Sequence, residues 1–146
     1  MREIIFRGKS SISGEWAYGW FYSVKNAFNE KHILKIIIDV HGNETFVIPE
    51  TVGQYTGLTD KNGKRVFEAD ILRVEQRGET GSRICPVYFG EYIDADSLFD
   101  NYRCIGFYIK TSDGCGNIGF LLDGEVECEV IGNIHDNPEL LEVTNA

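Results

Sequence analysis

Short apolar runs alternate with polar residues along this chain, and turn residues interrupt them roughly every ten positions. The cleanest period of two lies at Glu125–Ile134, where Val126, Cys128 and Val130 point one way and Glu127 and Glu129 the other. Such alternation is the signature of a strand with one buried face. The same reading predicts strands at Glu3–Arg7, Glu15–Val24, Ile33–Val40, Glu44–Ile48, Val66–Gln76, Arg83–Phe89, Cys104–Lys110 and Asn117–Leu122. Ser13-Gly14, His41-Gly42-Asn43, Asp60-Lys61-Asn62-Gly63, Asp113-Gly114 and Asp123-Gly124 supply the turns, because glycine and asparagine reach positive φ cheaply. Lys25–Lys31 reads as a polar loop at a hairpin tip, and Gly78–Ser82 as another tip. Pro49 opens a short predicted helix, Glu50–Tyr55, which Gly57 would cap. Pro138–Val143 is a second helical turn. Many short strands with glycine turns specify an all-β protein, a sandwich or small barrel.

One run carries a candidate binding surface. Trp16, Tyr18, Trp20 and Tyr22 stand at spacing two and share one face of their strand, with Ala17, Gly19 and Phe21 on the other. Two packed sheets need one apolar face per strand, so the stripe reads first as core, or as a subunit interface. The alternative is a stacking platform for single-stranded nucleic acid, with Arg7 and Lys9 nearby to hold phosphates.

Other constellations are weaker. Asp39-Val40-His41-Gly42-Asn43 after a buried strand looks like the first motif of calcineurin-like metallophosphoesterases, and Gly132-Asn133-Ile134-His135-Asp136 is distantly similar to another. That chemistry needs more ligands than three histidines allow, and alternating helices that this pattern lacks. A polar hairpin tip is the simpler reading of Asp39–Asn43. Asp94, Asp96 and Asp100 with Glu91 lack the glycine and terminal glutamate of a calcium loop. No nucleophile elbow and no phosphate-cradling loop occurs. The expectation is a protein without catalytic residues, metal or cofactor.

Composition adds three points. At 146 residues with 42% hydrophobic content, the chain builds a real core. No apolar run reaches membrane-spanning length and no signal-peptide pattern opens the chain, which points to the cytoplasm. There, Cys85, Cys104, Cys115 and Cys128 read as reduced thiols packed as small hydrophobes. Charge is uneven: residues 1–83 balance at +1 and residues 84–146 at −10, giving −9. An acidic surface repels phosphates, so nucleic acid falls behind a protein partner.

Glu50-Thr51-Val52-Gly53-Gln54-Tyr55-Thr56-Gly57-Leu58, the turn Asp60-Lys61-Asn62-Gly63, the segment Phe67-Glu68-Ala69-Asp70-Ile71 and the tail Ile131-Gly132-Asn133-Ile134…Asn137-Pro138-Glu139-Leu140-Leu141 form a recognisable set. With the opening Met1–Lys9, they resemble the YopX family of phage and prophage proteins. The resemblance implies an SH3-like barrel over residues 50–146, after an N-terminal antiparallel β unit over 1–49. It implies no molecular activity, since the family has none established. Family members carry glycine where this chain has Ala69, so the bend there is expected not to need positive φ. The function expected is a non-enzymatic interaction or assembly module, working as a homo-oligomer or on an unidentified protein, with single-stranded nucleic acid as the alternative and phosphoester hydrolysis the weakest reading.

Overall fold

Period-two patterning and closely spaced turns give an all-β chain. The computed structural model describes residues 3–94, 103–111, 114–122 and 126–142. Within them run β1 (Phe6–Lys9), β2 (Trp16–Asn26), β3 (Asn29–Ile38), β4 (Glu44–Val47), β5 (Gly53–Thr59), β6 (Arg65–Phe67), β7 (Asp70–Gln76), β8 (Arg83–Ile93), β9 (Arg103–Thr111), β10 (Gly114–Asn117), β11 (Val126–Asn133) and one helical turn, α1 (Glu139–Glu142). The chain forms two units, Met1–Gly57 and Leu58–Ala146.

The first unit is an antiparallel sheet in the order β4-β3-β2-β1-β5. It curls until β4 returns to the end of β1. Ser11 N–H donates to the Phe46 carbonyl at 3.0 Å and Ile48 N–H to the Lys9 carbonyl at 2.9 Å. Two glycines permit the curl. A Cβ on Gly8 would stand 2.9 Å from Val47, and one on Gly19, whose φ is +155°, would stand 2.0 Å from the Ile38 carbonyl oxygen. The concave side holds Phe6 edge-on to Phe21 with ring centres 4.6 Å apart, above buried Ile37 and Val47.

The β2–β3 hairpin outruns its neighbours. β1 pairs only with Trp16–Gly19, and β4 only with Lys35–Ile38. Pairing between β2 and β3 continues from Trp20↔Ile38 to Lys25↔Ile33, then slips before a tip pair, Asn26↔Asn29. The expected loop at Lys25–Lys31 is therefore mostly strand. Lys25, Asn26, Asn29, Glu30 and Lys31 are all polar, so no apolar period announces strand there.

Two predicted helices and strands also change. Only Pro49–Thr51 is helical, as one 3-10 turn, and Gly53–Thr59 is strand. The Thr51 hydroxyl donates to the Ile48 carbonyl and accepts the Lys9 N–H at 2.9 Å, which stops the helix after one turn. Ile118–Leu122 is a 3-10 turn rather than strand.

In the second unit the sheet order is β10-β9-β8-β7-β11. Among the described residues no pairing closes it into a barrel. Its core is Val66, Leu72, Val74, Cys85, Val87, Ile109, Ile118 and Cys128. Burial pushes the Cys85 thiol up to about 11, as suits packing rather than reactivity. Gly90 and Gly106 face each other across β8 and β9, both at positive φ. Tyr92 stacks on Tyr108 with ring centres 4.7 Å apart.

The predicted strand Val66–Gln76 breaks at Glu68-Ala69. Asp70, almost fully buried, accepts the Phe67 N–H at 2.7 Å and closes a tight turn. Ala69 sits inside it at φ +74°. This corrects the expectation that a bend tolerating alanine avoids positive φ. Two backbone bonds hold the strained residue: Ala69 N–H to the Val87 carbonyl and Ile134 N–H to the Ala69 carbonyl, each 2.8 Å.

Candidate protein-interaction face

The stripe lies on the outer, convex side of the first sheet. Tyr18 is 46% exposed, Trp20 50% and Tyr22 37%, while Trp16 is half-buried. The expectation that the stripe forms a core is therefore corrected for the single chain. The inward side of β2 is instead Ala17, Gly19 and Phe21, with Phe21 packed on Phe6 and no room for a side chain at Gly19.

Register extends the face across neighbouring strands. Tyr22 stands opposite Ile36, and Ile36 opposite Phe46. Ile36 is buried between those two rings, whereas Phe46 and Val24 remain exposed. Trp20 stands opposite Ile38, and Ile38 opposite Glu44. The Tyr22 hydroxyl donates to the Glu44 carboxylate, and that bond holds the phenol's pKa above its ordinary value. The result is an apolar surface over three strands with Glu44 at its rim. Patches of this kind mark protein contacts more often than chance exposure does.

The cations expected beside the stripe are placed differently. Arg7 shares the stripe's side, but its guanidinium lies 4.5 Å over the Trp16 ring and the residue is only 5% exposed. Lys9, opposite Trp16, is half-buried. Register turns Lys25 and Lys35 to the other side. The structure thus brings Trp16, Tyr18, Trp20, Tyr22, Arg7 and Lys9 onto one face without an array of exposed positive charge. Ile36 and Phe46 complete that face and escaped the sequence reading. Their signal lay in β3–β4 register, which a single strand's alternation does not contain.

The metal-like motifs resolve into turn chemistry. Asp39 Oδ1 accepts the His41 and Asn43 N–H groups, both at 2.9 Å, and Oδ2 accepts the Asn43 side-chain amide at 3.2 Å. The Asn43 N–H bond, ahead of the others, holds the Asp39 pKa below the usual range, against a smaller opposing effect of burial. Asn133 Oδ1 accepts the His135 and Asp136 N–H groups at 3.0 and 2.9 Å. Among the described residues no three of His, Cys, Asp or Glu are grouped to hold a metal. Asp96 and Asp100 lie outside the described residues.

The residues carrying the family resemblance are likewise structural. Asp60 accepts the Asn62 and Lys64 N–H groups through one oxygen and the Val130 N–H through the other, each at 2.9 Å. Gly132 lets Asn137 approach to where a Cβ would meet its Oδ1 at 2.5 Å. The family model for the YopX protein matches residues 5–142. The chain belongs to the YopX family. Two solved structures share its fold: protein yopX from Bacillus subtilis, 14% identical with a TM-score of 0.51 over 96% of this chain and 98% of that one, and protein EF1440 from Enterococcus faecalis, 23% identical with a TM-score of 0.50 over 97% and 99%. No curated protein matches the chain. The motifs that carry the YopX resemblance close turns and corners here, and the exposed aromatic face lies outside them.

Proposed function

We propose that this YopX protein is a non-enzymatic interaction or assembly module of a phage or prophage, acting in the bacterial cytoplasm. Its binding face is the convex side of β2, β3 and β4. The observation that carries the reading is the exposure of Tyr18, Trp20, Tyr22 and Phe46 around buried Ile36. Large aromatic side chains are costly to leave in water and are enriched where proteins meet. Glu44 on that face is tied to Tyr22, and the chain carries −9, so phosphate backbones are repelled. This favours a protein partner over single-stranded nucleic acid. The same reading treats the second unit as a partly opened SH3-like barrel, supported by its five antiparallel strands packed on one buried apolar cluster.

The test is a capture experiment from phage-infected cells with wild type and Trp20→Ala, alongside a fluorescence titration with oligothymidylate at low salt. A partner retained by wild type and lost by the variant, with no oligothymidylate binding, is the expected result. Tight, salt-sensitive oligothymidylate binding lost in Trp20→Ala would establish the nucleic-acid reading instead.

A further inference from the structure

The face just described says nothing about edges, and a separate observation concerns them. Exposed strand edges invite another strand, and proteins usually cover them. Among the described residues two are covered in this way. The end of β1 and the chain after it bond to β4, and the Asp60–Lys61 turn bonds to β11 through Cys128 O and Val130 N–H. The β2–β3 arm is different. Among the described residues, Trp20–Asn26 has no strand on its β1 side. Two-stranded ribbons are marginal in water. This one also carries exposed Val24 and Ile33, and Phe28 at its tip is 100% exposed.

We infer that the free edge of β2 pairs with the same edge of a second copy of this chain, antiparallel about a two-fold axis through Ser23. A two-fold interface must match its own surface. Centring on Ser23 sets Tyr22 against Val24, Phe21 against Lys25 and Trp20 against Asn26 of the second copy. Each aromatic side chain meets an aliphatic, cationic or amide group, pairs that stabilise neighbouring strands. No like charges are placed opposite one another.

Charge favours the same place. Residues 20–35 hold three lysines and one glutamate, a balance of +2, which leaves −11 on the rest of the chain. Two molecules each at −9 repel least where they meet through their basic arms, and each arm then lies toward an acidic body. The pairing joins two hairpins into a four-stranded ribbon and leaves the aromatic face open. It holds whatever that face binds.

Charge exchange at Ser23 tests it. Ser23 is exposed and stands opposite Lys35 within the chain. Ser23→Glu gains an attractive neighbour in its own hairpin but meets a second Glu across the two-fold; Ser23→Lys meets a second Lys. Light scattering is expected to give about 33 kDa for wild type, twice the 16.5 kDa chain. Each variant alone is expected at the monomer mass with unchanged circular dichroism, its dissociation constant raised at least tenfold, and a mixture of the two is expected to regain the dimer mass. If a charged variant misfolds, Ser23→Cys replaces it: mild oxidation is expected to yield a covalent dimer that wild type does not form. A monomeric wild type, variants that stay dimeric, a mixture that stays monomeric, or no cross-link through position 23 would each overturn the inference.

Discussion

Asp60 and Val130 stand 70 residues apart, and the Asp60 Oδ2 accepts the Val130 N–H at 2.9 Å. The other carboxylate oxygen closes the Asn62–Lys64 turn. One buried side chain therefore shapes a local turn and fastens it to β11. Burial opposes its charge most strongly, yet the Val130, Lys64 and Asn62 N–H groups together hold its pKa below the usual carboxylate value. Replacing it by alanine leaves those donors without their acceptor. Asp60→Ala is expected to cost about 2–4 kcal/mol at neutral pH in urea unfolding. A carboxylate with a depressed folded pKa stabilises above its unfolded pKa and loses that effect as pH falls through the folded one. The gap between wild type and Asp60→Ala is thus expected to narrow only below about pH 4.

Ala69 adopts a backbone conformation that suits glycine. Left-handed φ costs an L-residue about 1–2 kcal/mol, and glycine loses some of that gain through its freer unfolded chain. Ala69→Gly is expected to raise stability by about 0.5–1 kcal/mol, and Ala69→Val to lower it. Thermal melts of the three proteins check the order.

Gly19 has no space for a side chain, because its Cβ would stand 2.0 Å from a backbone oxygen that cannot swing away. Gly19→Ala is expected to cost about 3 kcal/mol or more, at the upper end of overpacking effects. Gly63, also at positive φ but with nothing within 4 Å of its Cβ position, separates backbone strain from collision. Gly63→Ala is expected to cost about 1–2 kcal/mol.

Ile37 and Trp20 lie on opposite sides of the same sheet. Ile37 is buried and Trp20 half exposed. Ile37→Ala is expected to cost about 2–5 kcal/mol, whereas Trp20→Ala should cost less than about 1. Equal costs in denaturant titrations would mean that Trp20 supports the fold.

Much of this fold could be read from alternation and turns. Val126, Cys128 and Val130 fall on the core side as their spacing demands. The Asp39–Asn43 and Asp60–Gly63 turns also form where asparagine and glycine specify them. The arm beyond Ser23 was illegible because neither side is covered, and alternation reports covered strands. The side on which the stripe points was illegible for a different reason. Period two groups Trp16, Tyr18, Trp20 and Tyr22 on one face but cannot say which face is inward. That depended on Gly8 meeting the Val47 side chain and Gly19 the Ile38 backbone, contacts with no local signal. Ala69 misled because substitution by alanine lowers the cost of a conformation only relative to larger residues, and the buried Asp70 carboxylate imposes the rest.

The account rests on the aromatic stripe facing water in the folded chain. Trp16 and Trp20 are the two tryptophans, so a Trp16→Phe protein reports Trp20 alone. Its fluorescence is expected to be red-shifted and readily quenched by acrylamide in the native state, close to that of the urea-unfolded chain. A blue-shifted emission shielded from acrylamide until unfolding would contradict it.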